Sequence, residues 1–212
     1  MTVFRSVPDM LRKRVADTPD RDAFYAPTSI GWRTYTWRDV GDEVRVLASG
    51  LRALGLEHAH RAAIISETRV EWLLIDLAIN STGGATTALY PSGTLRDTQY
   101  IINDSESAVI FAENDVQVDA LVKIRAELPH VRHIINIDGP GGHDGWVLSI
   151  TELRELGTER NLTHPTEIDE VIDGITPEDL ATLVYTSGTT GQPKGVILVH
   201  DCWLYTGEAL IE

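Results

Sequence analysis

Thr186–Gly195, reading TSGTTGQPKG, gathers residue types that together suit an anion. Gly188, Gly191 and Gly195 tolerate the positive-φ conformations that turn successive backbone N–H groups toward one point. Thr186, Ser187, Thr189 and Thr190 add hydroxyl donors, and Lys194 adds a full positive charge. Pro193 fixes φ beside the lysine. Phosphate matches that donor set. The spacing is not that of the G-x-x-x-x-G-K-[ST] loop, because Gly188 and Gly191 stand too close together and Lys194 is followed by Gly195. The plain alternative is a Gly/Thr-rich connection between two strands.

The elements around this stretch follow from apolar period and capping signals. Leu180–Tyr185 is an apolar run that reads as a buried strand delivering the glycines from a sheet edge. Upstream, Pro8–Ala16 reads as a short helix, and Asp22–Ala26 with Ile30–Tyr35 as two strands about a turn. Thr36, with Asp39 three residues on, caps a helix whose stripe is Val40, Val44, Leu47, Ala48, Leu51 and Leu54, stopped by Gly55. Arg61–Ser66, Ala85–Tyr90, Ala108–Ala112 and His133–Ile137 read as strands. Thr68 with Glu71 is expected to cap the helix that ends at Gly83-Gly84, and Thr94 with Asp97 the helix to Asp104. Val116–Leu128 reads as one helix, and Ser149 with Glu152 opens another. Arg160–Thr166 reads as loop, and Thr176–Asp179 as a compact helix start. Strand–helix alternation of this kind predicts a parallel sheet wrapped by helices.

Composition narrows the partners. The formal charge of −14, from 18 basic and 32 acidic residues, argues against nucleic acid and anionic membrane surfaces. A polyanionic ligand therefore needs a local positive site, and Lys194 supplies one. One cysteine, Cys202, excludes an intrachain disulfide and fits a reducing compartment. No apolar run approaches the roughly 20 residues of a membrane span, and a cytoplasmic location is expected.

Other candidate sites read as bland. His130 and His133 lack the cysteine or carboxylate cluster that zinc wants, and His58 and His60 read as solvated. Asn161–Thr163 fits a glycosylation sequon by chance. Cys202 beside His200 lacks a third orienting group and reads as a half-buried helix residue. The five tryptophans read as core or edge packing.

Tyr185–Val196 as a whole resembles the phosphate-binding signature of the adenylate-forming enzymes: acyl-CoA synthetases, peptide-synthetase adenylation domains and luciferases. Thr34–Trp37 with the helix ending at Gly55, the Glu71-Trp72 pair and the Gly83–Pro91 stretch are similar to the same superfamily. Ala112–Asp115 is similar to its long-chain fatty acyl-CoA ligase branch. The resemblance implies an α/β fold of parallel-sheet layers flanked by helices, the N-terminal part of the large domain. Residues 1–57 would be a helix-and-strand segment that packs on later chain in relatives, and residues 58–212 an α/β subdomain ending in the loop.

For chemistry, the resemblance implies ATP-dependent activation of a fatty acid. The carboxylate attacks the α-phosphorus of ATP, pyrophosphate leaves, and the thiol of coenzyme A takes the acyl group. Thr186, Ser187, Gly188, Thr189, Thr190 and Gly191 would hold the β- and γ-phosphates, and Lys194 would offset their charge. Thr186 would also help to hold Mg²⁺. No catalytic residue can be named, because relatives place theirs in a long second half. The chain is thus expected to be an N-terminal fragment inactive alone, served by a downstream half-protein that binds most of coenzyme A, or prone to self-association. The alternatives are a non-catalytic nucleotide- or partner-binding remnant and an adenylating enzyme for another acid. His200 stands where relatives carry a histidine, whereas Ala59-His60 and Asp201-Cys202 replace their usual Gly-Asp and Arg-Asn pairs, and the second change bears on how the last helix docks. The segment before about Gly55 is expected to be held less tightly than 61–199.

Overall fold

The computed structural model describes residues 4–28, 30–186 and 192–209. Helix α1 (Val7–Asp17) leads into a hairpin of β1 (Asp22–Thr28) and β2 (Gly31–Thr36), then α2 (Trp37–Ala53). The sheet elements follow: β3 (Arg61–Ile65), α3 (Val70–Ser81), β4 (Ala85–Leu89), α4 (Leu95–Asp104), β5 (Ser107–Ala112), α5 (Asp115–Lys123), β6 (His133–Asn136) and β7 (Val147–Ser149). Helices α6 (Ile150–Thr163) and α7 (Glu167–Gly174) precede β8 (Leu180–Thr186), β9 (Lys194–Val199) and α8 (His200–Ala209).

Strands β3 to β9 form one seven-stranded sheet in the order β7-β6-β5-β3-β4-β8-β9, and every pairing in it is parallel except β8 with β9. The expected fold class holds. All six residues of β5 are buried, as are Ala62–Ile65 of β3, because helices cover both faces of the sheet. Side-chain alternation sorts them: Ala62, Ile64, Val109, Phe111 and Ile135 join the core under α2, α3, α6 and α7. Ala63, Ile65, Ile110, Ala112 and Ile134 join the core under α4 and α5.

Helix α2 is set by the expected stripe and a complete capping box, in which Thr36 Oγ1 accepts from Asp39 N and Asp39 Oδ2 accepts from Thr36 N at 2.8 Å. It meets α6 at backbone distance. A Cβ on Gly157 would overlap the Val46 carbonyl oxygen, and one on Gly50 would overlap that of Leu153, so two glycines permit the crossing.

Several local expectations need correction. Thr68 does not cap α3: Arg69 is the N-cap residue and makes no side-chain cap bond, because Glu71 is taken by the Arg69 guanidinium at 2.7 Å. The helix expected over 116–128 ends at Lys123, where Ile124 leaves helical geometry at φ −108°, ψ 16°; a 3₁₀ turn, Arg125–Glu127, follows, and Pro129 keeps Leu128 out of the helical region at φ −117°, ψ 66°. The 160–166 segment is not loop up to Thr163: α6 continues, with Arg160 held by Glu167 and Asn161 accepting from Ser49 Oγ at 2.7 Å. Thr176–Asp179 bonds as a cap, Thr176 N donating to Asp179 Oδ2 at 2.7 Å, but no helix follows because the chain passes straight into β8. Helix α7 and the three-residue edge strand β7 carry patterns too short to read from periodicity alone.

Side-chain expectations fare unevenly. Cys202 is exposed rather than half-buried. Trp146 is core, but Trp32 is 72% exposed and has no packing role of that kind. His58 is half-solvated as expected, yet its Nε2 lies 3.3 Å from Asp179 Oδ1.

Candidate functional site

The direction of the winding reverses at β3. The chain moves from β3 to β4 on one side, then returns to place β5 on the other, and such a reversal opens a crevice at the carboxyl ends of the strands. Protein groups occupy it. Arg69 donates to both oxygens of Asp138 at 2.7 and 2.9 Å, and Glu113 Oε2 accepts from Glu67 N at 2.7 Å. These charges hold the guanidinium protonated, pushing its pKa above the ordinary arginine value through the Asp138 hydrogen bonds foremost. Among the described residues, the guanidinium in this crevice is thus already committed to protein carboxylates.

Two strands away, β8 reaches the same edge of the sheet, held by β4 through Thr86↔Thr182, Thr87↔Leu183 and Ala88↔Val184. It pairs antiparallel with β9 up to Tyr185↔Gly195 and Thr186↔Lys194. Thr186 and Lys194, 8 positions apart in sequence, are therefore cross-strand partners, and both are exposed. Ser187, Gly188, Thr189, Thr190 and Gly191 lie outside the described residues.

Beside this root is a cavity of about 230 Å³, lined by Ser66, Glu67, Thr68, Trp72, Tyr90 and Tyr185 among others. Its residues come from the ends of β3, β4 and β8 and from α3. Another cavity of about 230 Å³ lies between α1, α2 and α7. Its guanidinium groups are already committed, Arg12 to Asp173 at 2.8 Å and Arg45 to both oxygens of Asp169 at 2.9 Å, so it offers an anion little.

A family model described as AMP-binding enzyme matches residues 11–211, nearly the whole chain. This chain belongs to the AMP-binding enzyme family. Long-chain-fatty-acid–CoA ligase FadD15 of Mycobacterium bovis is 30% identical over 196 residues, which cover 92% of this chain and 31% of that protein. Long-chain-fatty-acid–CoA ligase ACSBG1 of Rattus norvegicus is 36% identical over 159 residues, covering 74% of this chain and 22% of that one. The chain thus spans less than a third of the length of these relatives. The structure of the anthranilate CoA ligase AuaEII in complex with anthranoyl-AMP superposes with a TM-score of 0.76 at 21% identity, covering 98% of this chain and 37% of that one. A putative long-chain-fatty-acid CoA ligase from Rhodopseudomonas palustris gives 0.77 at 21% identity, with 97% and 47% covered. At those identities the likeness is one of fold.

Within this AMP-binding family member, two groups make contacts that escaped the sequence reading, one at the root of the loop and the other at the far end of the β8–β9 ladder. The Tyr185 hydroxyl donates to Asp104 Oδ2 at 2.7 Å, joining the end of α4 to the end of β8. Burial, and then Asp104, push the phenol pKa far above its usual value, so it stays a donor at any working pH. The second group is buried His200, whose Nδ1 accepts from Val7 N at 3.4 Å. Desolvation lowers its pKa to about 4, against the opposing pull of Asp179. Neither contact is visible as a spacing, because each joins elements at least 81 residues apart.

No group of three or more His, Cys, Asp or Glu able to hold a metal exists among the described residues. Nor is any helix among them long and apolar enough to cross a membrane.

Proposed function

We propose that this chain binds the triphosphate of ATP at the segment between Thr186 and Lys194, as part of an enzyme that activates a fatty acid and passes it to coenzyme A. The observation that carries the reading is the cross-strand pairing of Thr186 with Lys194. It sets a hydroxyl and an ammonium at the two ends of a glycine- and threonine-rich segment, at the carboxyl edge of a largely parallel sheet. Ser187, Gly188, Thr189, Thr190 and Gly191 supply the remaining donors in this proposal. Membership of the AMP-binding family supports the use of ATP, and the names of the relatives support a long-chain acid.

In this reading Lys194 lowers the barrier by offsetting charge on the phosphate oxygens, which is where nucleotidyl transfer gains most. Thr186 would offer one hydroxyl to a Mg²⁺ bound on the nucleotide's phosphates. Coenzyme A serves as co-substrate, held mainly by chain outside this one.

Because the chain spans 31% of FadD15, catalysis and binding by it are separate proposals. Pyrophosphate exchange with ATP and a long-chain fatty acid separates them. Acid-dependent exchange establishes adenylation by this chain. ATP binding without exchange, the expected result, supports a binding piece completed by a downstream segment. Failure to bind ATP overturns both.

A further inference from the structure

We propose that Asp104 and Tyr185 form a positioning pair that keeps Thr186 and Lys194 in register for a nucleotide triphosphate; the role rests on the nucleotide reading above. Tyr185 immediately precedes Thr186, and its ring lies against Gly195, the residue immediately after Lys194. One side chain therefore braces both roots of the loop. Its hydroxyl is anchored at 2.7 Å on Asp104, a residue of α4 rather than of either strand.

The placement of Asp104 argues for such a task. It is the last residue of α4, where unpaired carbonyl groups make a carboxylate unfavourable, and no basic residue occupies that last turn. The carboxylate is nevertheless exposed and aimed at a phenol 81 positions away. Thr186↔Lys194 is the terminal pair of the β8–β9 ladder, the pair that frays first once its neighbour loosens. Donors that must converge on one anion lose effect when displaced by about 1 Å, so a brace at this point acts on affinity before it acts on the fold.

The test titrates ATP into the 212-residue chain and into Tyr185→Phe, Asp104→Ala, Asp104→Asn and the double variant Tyr185→Phe/Asp104→Ala. Tyr185→Phe keeps the ring on Gly195 and removes only the donor. Tyr185→Phe and Asp104→Ala are each expected to weaken ATP about three- to tenfold, the scale of one ordinary hydrogen bond and less than that of a direct contact to charge, because the pair acts on the anion only through Thr186 and Lys194. The double variant should be no weaker than either single one. Asp104→Asn, whose amide oxygen still accepts, should recover most of the affinity. In the absence of ATP, amide exchange at Thr186 and Lys194 should quicken in Tyr185→Phe while exchange in β3 and β5 stays unchanged. ATP affinity equal to that of the unaltered chain in Tyr185→Phe, or additive losses in the double variant, overturns the pair and leaves the nucleotide reading standing. If the unaltered chain fails to bind ATP, the nucleotide reading falls and this role with it.

Discussion

The Tyr185 ring covers Gly195 across the β8–β9 pair so closely that a Cβ on residue 195 would stand 3.1 Å from Tyr185 Cζ. The contact is tight enough that a side chain at 195 must displace the ring. Gly195→Val is therefore expected to cost about 1–2 kcal/mol and to break the Tyr185–Asp104 bond. The denaturation midpoint measures the first effect. The second appears as faster amide exchange at Thr186, and a Gly195→Val chain with unchanged exchange there would contradict the contact.

Two buried titratable groups give opposite pH slopes. Burial raises the Asp76 carboxyl to about 6, against the opposing hydrogen bond from Asn80 Nδ2. The folded state then binds a proton that the unfolded state has released, so Asp76 takes stability away as pH rises through roughly 4 to 6. His200, lowered to about 4, behaves conversely: the unfolded imidazole takes up its proton first, and stability falls as pH drops from roughly 6.5 to 4. In the unaltered chain the two largely cancel. Asp76→Asn should stabilise the chain above pH 7 by up to about 3 kcal/mol and leave stability climbing with pH across that window. His200→Gln should leave it declining. Unfolding curves at pH 4.5, about 6 and about 8 decide the matter, and parallel profiles for the two variants would refute it.

At the α2–α6 crossing, Gly157 faces the Val46 carbonyl with no room for a methyl group. Gly157→Ala should destabilise by about 1–3 kcal/mol, because the obstacle is backbone rather than a movable side chain. Urea unfolding would report a lower midpoint at similar slope; a gain in stability, as expected of glycine-to-alanine in an open helix, would show that the helices do not meet there.

The N-terminal segment should open in stages. Among the described residues the β1–β2 hairpin pairs with no other strand and presents Tyr25, Ile30 and Trp32 to solvent, whereas α2 buries Val40, Val44, Leu47 and Leu51. Hydrogen exchange is expected to be fastest in β1 and β2, slower in α2, and slowest in β3 and β5. Protection of the hairpin equal to that of β5 would count against this order.

Much of the fold was legible because its signals are local. Thr36 with Asp39, Thr94 with Asp97 and Ser149 with Glu152 each announce a helix within four residues, and all three bond as caps. The buried runs of β3 and β5 are equally explicit. What escaped depends on distant partners. Arg69 diverts Glu71 from capping because Asp138 draws the guanidinium to the crevice, and α6 extends past Arg160 because Glu167 and Ser49 receive its polar side chains. For the candidate site, Thr186 and Lys194 were readable from residue type, and their pairing follows from the hairpin. The tie from Tyr185 to Asp104 was not readable, since it exists only once α4 and β8 lie side by side.

The central claim is that Lys194 and the segment before it grip a nucleotide triphosphate. Equilibrium titration of ATP into the unaltered chain and into Lys194→Ala tests it most directly. The account predicts saturable binding by the first and affinity at least about tenfold weaker in the second, the loss expected of a charge-assisted contact. Equal affinity in the two chains, or no binding by either, would contradict it.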